Sequence, residues 1–483
     1  MTTSVVGLLI VAAVTVTMHA PRAWAKNPEP VDAENLARDT AKIDPATGAR
    51  LWRELAERGV ANAQYELGFA HRFGRGVPRD PSAAAEWIAK AAEQGHLEAM
   101  IDLVGFYQRG AGVQRSEAEA VRWARRAAER GSARAQNQLA YMYERGLGVT
   151  IDLAEAARWY RLAAEQGEPN AQFQLGFLYA NGRGVTRDET EAAEWCRKAA
   201  ERGHAQAEYT LGTLYFFGRG VPQDYQRAVE WFARAADQAI VEAQFQMAQM
   251  LESGQGVDRD DAQAAVWLER AAKQAHPTAQ ARLAARYAAG RGVARNIARA
   301  VEWYQRAAEQ GVLAAQLALG NVFFLGTDGI PMDRAAAATW YRLAAMQGNV
   351  DAQIILGWMH DRGAGVAHDI PEALVWYRRA AERGSIATQL ELAYLYLDAS
   401  AATYDPHAAA LWATRAAQQG SAEGQFMIGV LTATGLGTAT DLPDAVAWLD
   451  KAARQGFPEA KIVLDGLCDA IPPACAALPL TTR

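Results

Sequence analysis

Apolar residues recur along this chain in short blocks at helical spacing, separated by breaks rich in glycine and aspartate. The block Ala171-Gln-Phe-Gln-Leu-Gly-Phe-Leu-Tyr179 predicts one helix, here called helix A. Asn181-Gly-Arg-Gly184 ends it, because glycine accepts the left-handed backbone that closes a helix. Val185 leads to Asp188, the predicted N-cap of helix B, which runs through Trp195 to a C-terminal glycine at Gly203. The next helix A follows almost at once.

This unit repeats. Cap residues recur at Asp44, Asp80, Ser116, Asp152, Asp188, Asp224, Asp260, Asn296, Asp333, Asp369, Asp405 and Asp441. The step is 36 residues throughout except from Asn296 to Asp333, which is one longer. Periods of this size mark stacked repeat architectures. The sequence predicts an all-α, α–α solenoid of about eleven helix-turn-helix repeats, from Ala61 to Gly456, with half-repeat caps. A lone helix B (Asp44–Glu57) precedes them and a lone helix A (Pro458–Cys468) follows. A tryptophan falls seven residues after each cap from Trp87 to Trp448, and is read as core; in the first rung Leu51 holds the slot and Trp52 is one residue late. A small residue recurs inside helix A, as at Gly68, Gly176, Gly212, Gly320 and Gly357, and predicts close approach of another helix. Val104 and Asp465 depart from that pattern. Irregular loops at Gly326–Pro331 and Asp398–Tyr404 predict local changes of geometry.

The ends differ from the array. Val5–Met18 is uncharged and mostly apolar, and Ala23-Trp-Ala25 reads as a small-x-small cleavage site before Lys26. Residues 1–25 are therefore expected to be a secretory signal peptide, the alternative being an uncleaved membrane anchor. Residues 26–43 are read as a linker or cap, 44–469 as the solenoid and 470–483 as a tail, with no membrane span once the signal is removed. In an oxidising compartment Cys468 and Cys475 are expected to pair, whereas Cys196, in a slot otherwise held by Tyr160, Phe232 or Leu268, is expected to be a buried structural thiol.

Composition adds little chemistry. A net charge of −6 without a basic stripe speaks against nucleic acid. The eight histidines lack zinc-ligand spacing, and the glycine loops lack both the preceding strand and the lysine of a phosphate loop. His71 and His360 fall in a slot otherwise held by tyrosines and are read as packed core. No nucleophile motif appears, so neither cofactor, metal nor enzymatic activity is expected.

The composite pattern is Ala-Gln-x-x-Leu-Gly-x-x-Tyr, then Gly-x-Gly-Val-x-x-Asp, then Ala-Ala-x-Trp-Tyr-x-x-Ala-Ala-x-x-Gly. It resembles the Sel-one-like repeat (SLR) family of the tetratricopeptide-like superfamily, over about residues 44–469. The resemblance implies a right-handed superhelix whose concave groove is lined by helix A. It also implies an exported scaffold or adaptor for protein partners, of the kind that serves envelope signalling, exopolysaccharide assembly or host contact. One branch is similar to cysteine-rich proteins that bind β-lactams and hydrolyse them weakly, which gives the alternative function. That branch has a cysteine pair in each repeat, and this array holds only Cys196.

If helix A lines a groove, its non-repeating positions are where specificity would reside. One helical stripe, spaced by four, three and four residues, carries Phe69, Tyr141, Arg145, Phe177, Trp358, Arg362 and Tyr394, and these are the partner-binding candidates. Trp358 stands out as the one tryptophan of the array outside the repeating slot. The competing expectation is that curvature tucks these side chains between neighbouring A helices.

Overall fold

A computed structural model describes residues 30–475 apart from residue 328. The predicted signal peptide, residues 1–25, lies outside the described residues. Among those described, the chain forms 25 α-helices and a terminal 3-10 turn at Pro472–Cys475. The chain divides within the helix Val241–Ser253 into two compact units, one ending at Ala243 and one beginning at Gln244. Each unit is an α–α solenoid in which consecutive helices pack on one another.

Local chemistry sets the helix starts. In all twelve B helices the residue at the head of the rung accepts a hydrogen bond from a backbone N–H in the first turn, as Asp152 does from Ala154 and Glu155 at 3.0 Å each. The loop before each B helix closes with a bond from the cap N–H to a carbonyl near the end of helix A, as from Asp188 to Tyr179 at 3.0 Å. Both irregular loops keep it: Asp333 donates to Phe323 at 2.8 Å and Asp405 to Tyr396 at 2.9 Å. The extra residue is taken up inside the loop, where Thr327 and Ile330 form an isolated bridge.

The core is deepest one residue beyond the tryptophan ladder. Tyr160, Phe232, Leu268, Tyr341 and Tyr377 are buried there. Phe232, Tyr341 and Tyr377 lie against the glycine of their own helix A. A Cβ added at Gly212 would come within 2.7 Å of the Phe232 ring, and one at Gly357 within 2.8 Å of Tyr377. Cys196 fills the same slot against Gly176, and burial pushes its thiol up to about 12, so it stays an unreactive SH. Where helix A carries the larger Val104, the facing slot holds Ala124, and both are buried in one cluster.

Two expectations need correction. The tryptophan ladder is a boundary position and not uniformly core. Trp123, Trp159 and Trp412 are buried, whereas Trp87, Trp231, Trp267, Trp303, Trp340 and Trp448 are only partly so. Most of those partly open rings are covered by a cation one turn on, as with Arg270 at 4.4 Å from the Trp267 ring centre. Indole tolerates this position because its face accepts a cation while its body stays apolar. The first helix B is also not alone. Pro30–Ile43 is helical, and its Ala33 and Ala37 pack with Trp52, Leu55 and Leu67.

A glutamine relay ties successive pairs together. Gln64 donates to the Ala56 carbonyl of the preceding helix B at 3.1 Å and accepts from Gln94 of its own at 2.7 Å. The same two bonds recur at Gln136, Gln280, Gln316, Gln389 and Gln425. The buried amide is a second donor to a helix-end carbonyl that already accepts the following glycine N–H, as Ala56 does from Gly59 at 3.0 Å, so the bond satisfies the amide and joins one pair to the next. Where Arg202 or Arg383 replaces the donor glutamine, the side-chain oxygen of Gln172 or Gln353 has no partner. At Glu208 the acceptor is a buried carboxyl.

Candidate functional site

Helix A buries the face carrying its leucine and small residue, and the predicted stripe lies on the opposite side. Tyr141 is 44% exposed, Phe177 43%, Trp358 38% and Tyr394 49%. Arg145 and Arg362 are exposed, and Phe69 is half-buried. The stripe is therefore not sealed between helices.

The candidates fall in separate places. Phe69 meets Phe73 with ring centres 4.5 Å apart, and Arg75 lies over it at 5.2 Å. Arg145 covers Tyr141 from one turn further on, at 5.6 Å. Trp358 meets Phe324 of the previous helix A edge-on at 5.8 Å. The Tyr394 hydroxyl donates to Glu423 of the following helix A at 2.7 Å; burial and then Glu423 push it up to about 12. Arg362 pairs with Asp361 at 3.2 Å. Phe69, Tyr141, Arg145 and Phe177 belong to the first unit; Trp358, Arg362 and Tyr394 belong to the second.

Two clefts open on this face. In the first unit a cleft of about 500 Å³ is lined by Arg38, Lys42, Arg75, Glu66, Phe69 and Trp52. Burial pushes the Glu66 carboxyl up, against the pull of Arg38 and Arg75. In the second unit a cleft of about 470 Å³ is lined by Phe324, Ile354, Ile355, Trp358, Tyr377, Ala387, Thr388 and Glu391. Phe324, Tyr377 and Glu391 are not among the sequence candidates. Glu391 lies on the stripe but looks like any solvated carboxylate. Phe324 lies one position off it. The available signal was Ala387 and Ala318, small residues on the two A helices that flank the one bearing Trp358.

Among the described residues there is no group of three or more metal-ligating side chains, and no helix long and apolar enough to cross a membrane. The sulfurs of Cys468 and Cys475 are bonded, with Cα atoms 5.5 Å apart, and Cys475 is buried against the last helix pair.

The Sel1 repeat signature matches eleven consecutive stretches of the chain, from residues 61–96 to 422–457. Among solved structures, the chain is similar to c5321, a protective antigen present in uropathogenic Escherichia coli strains and displaying an SLR fold. Identity is 34% over 90% of this chain and 91% of that one, with a TM-score of 0.67. It is also similar to a Sel1 repeat protein from Oxalobacter formigenes, at 36% identity over 64% of this chain and 89% of the other, with a TM-score of 0.51. No curated protein matches the chain.

Proposed function

Because the chain belongs to the Sel1 repeat family, whose fold is typically used for protein–protein interaction, we propose that it is an exported scaffold that grips a protein partner with the exposed stripe of its A helices. The observation that carries this reading is the large aromatic side chains left open on neighbouring A helices within each unit, Tyr141 and Phe177 in the first and Trp358 and Tyr394 in the second. Aromatic surface left in water contributes little to folding, yet such residues anchor interfaces when a partner covers them. Export rests on the apolar run and the small-x-small site in residues 1–25, and the bonded cysteines suit an oxidising compartment. Envelope signalling, exopolysaccharide assembly and host contact are the settings in which such a scaffold would serve.

Affinity capture with the exported protein tests the role. A specific partner should be retained by the wild type and lost on Trp358→Ala or Tyr141→Ala. If neither change weakens any captured partner, the proposed surface is wrong. N-terminal sequencing of exported material should begin at Lys26; a chain still starting at Met1 would overturn the cleaved signal. Nitrocefin turnover that survives purification would overturn the non-enzymatic role.

A further inference from the structure

The cleft beside Trp358 combines three aromatic rings with one carboxylate. Phe324 and Trp358 form an edge-to-face wall, and the buried ring of Tyr377 lies beneath. Ile355 and Ala387 complete an aliphatic side. Glu391 is half-buried in this lining and makes no hydrogen bond or ion pair among the described residues. The neighbouring carboxylates are engaged: Asp361 with Arg362 at 3.2 Å, Glu423 with Tyr394, and Glu372 with the Trp376 indole at 2.9 Å. The Phe324 ring already receives one guanidinium, that of Arg334, at 5.6 Å.

This lining discriminates among occupants. A purely apolar side chain would cover Glu391 without giving it a partner, and burying an unpaired charge is strongly unfavourable. An acidic side chain would add repulsion. A cation on a flexible aliphatic stem satisfies every wall: the stem lies on Ile355 and Ala387, and the charged head meets ring faces and a carboxylate. A cleft of about 470 Å³ has room for such a side chain and an aliphatic neighbour.

We infer that this cleft binds a basic side chain of a partner polypeptide, an arginine or lysine beside an aliphatic residue, through Glu391 and the rings of Trp358 and Phe324. The inference rests on the proposed scaffold role and names the chemistry of what the scaffold grips.

The test is fluorescence anisotropy on the full chain with three labelled pentapeptides, Gly-Leu-Arg-Leu-Gly and its versions with Glu or Leu at the centre. The basic peptide should bind at least tenfold more tightly than the other two. Glu391→Gln should weaken it about tenfold and Glu391→Lys should reverse the preference towards the acidic peptide. Trp358→Ala should weaken it similarly, while Ile151→Ala, at an exposed loop position of the other unit and off the stripe, should leave it unchanged. Circular dichroism confirms that each variant is folded, and Glu391→Gln, on a half-exposed residue, tests the claim even if Trp358→Ala is not. Equal affinity for the three peptides, unchanged binding to Glu391→Gln, or no binding of the basic peptide at millimolar concentration overturns the inference. The scaffold role fails separately. A natural partner lost on Trp358→Ala, together with no preference for the basic peptide, retires this chemistry and leaves the role standing. A preference for the basic peptide, together with no partner sensitive to any A-helix change, does the reverse.

Discussion

Replacing Glu208 by glutamine should stabilise the protein at neutral pH, and the gain should vanish in acid. Eight glutamines at the matching position donate to the carbonyl eight residues earlier, at 3.0–3.4 Å. The matching carbonyl for Glu208 is that of Ala200, and an ionised carboxylate has no proton to give it. Glu208 is 4% exposed and keeps only the accepting half of the relay, from Gln238 at 2.7 Å. Burial pushes its carboxyl above the ordinary 4.5, against the pull of Gln238 and Arg234. A group whose native proton affinity is raised favours folding more as pH falls and costs stability once pH rises past its native pKa. Glutamine restores one neutral hydrogen bond, about 1 kcal/mol, and relieves a buried carboxylate, for a total of about 1–2 kcal/mol. Stability in a repeat array is nearly a sum of local terms, so a local probe is needed. Hydrogen exchange of the Ala205–Phe217 amides should slow by roughly 5- to 30-fold near pH 7 in Glu208→Gln relative to wild type. The difference should shrink as the pH approaches that of an ordinary carboxyl. His204 caps the same helix and titrates nearby, but it is present in both proteins and cancels in the difference. A gain independent of pH, or none near neutrality, would refute the relay as the cause.

Three further outcomes follow from other parts of the structure. His96, His204 and His276 cap A helices by accepting a backbone N–H at Nδ1, at 3.1–3.2 Å, which protonation of that nitrogen prevents. Burial holds His96 and His204 below the ordinary 6.5, so their stabilisation is complete above that pH and is lost as pH falls through their lowered values; serine at all three positions should flatten thermal stability over this window, each cap being worth about 1 kcal/mol. Ala275 has φ +65°, where the equivalent residues of most repeats are glycine, so Ala275→Gly should raise stability by about 0.5–1 kcal/mol in denaturant titration; a loss would show that the left-handed backbone is not strained there. Arg286 is buried in a slot held elsewhere by Met142 or Met359 and bonds Glu252 twice, at 2.9 and 3.1 Å. Asp261 also pairs with it at 3.2 Å, so Glu252→Leu should cost about 2 kcal/mol, the loss of charge-assisted bonds without full isolation of the guanidinium, and Arg286→Met in the same chain should recover most of that in a double-mutant cycle.

The sequence by itself determined the repeat, its helix boundaries and its caps. These depend on interactions within one turn or one loop: Asp152 to its own first-turn amides, the loop glycines to their own backbone angles. It also predicted that another helix approaches closely at Gly212 and Gly357, though not that the residue after each tryptophan is what meets them. The tryptophans were misjudged because hydrophobicity says that a ring is buried, not that a cation one turn away covers it. The glutamine relay was visible as a recurring Ala-Gln, yet its partners lie in the preceding helix B and 30 residues on, beyond the reach of local pattern. Pro30–Ile43 was missed as the partner of the first helix B because its loop glycines are absent. For the candidate site, helical period placed Trp358 and Tyr394 on one stripe. Only tertiary packing decided that the stripe is open and that Phe324, Tyr377 and Glu391 meet Trp358. Helical period fixes which residues share a face, but neighbours across helices depend on how each pair stacks, and stacking is set by the volumes of residues far apart in the chain.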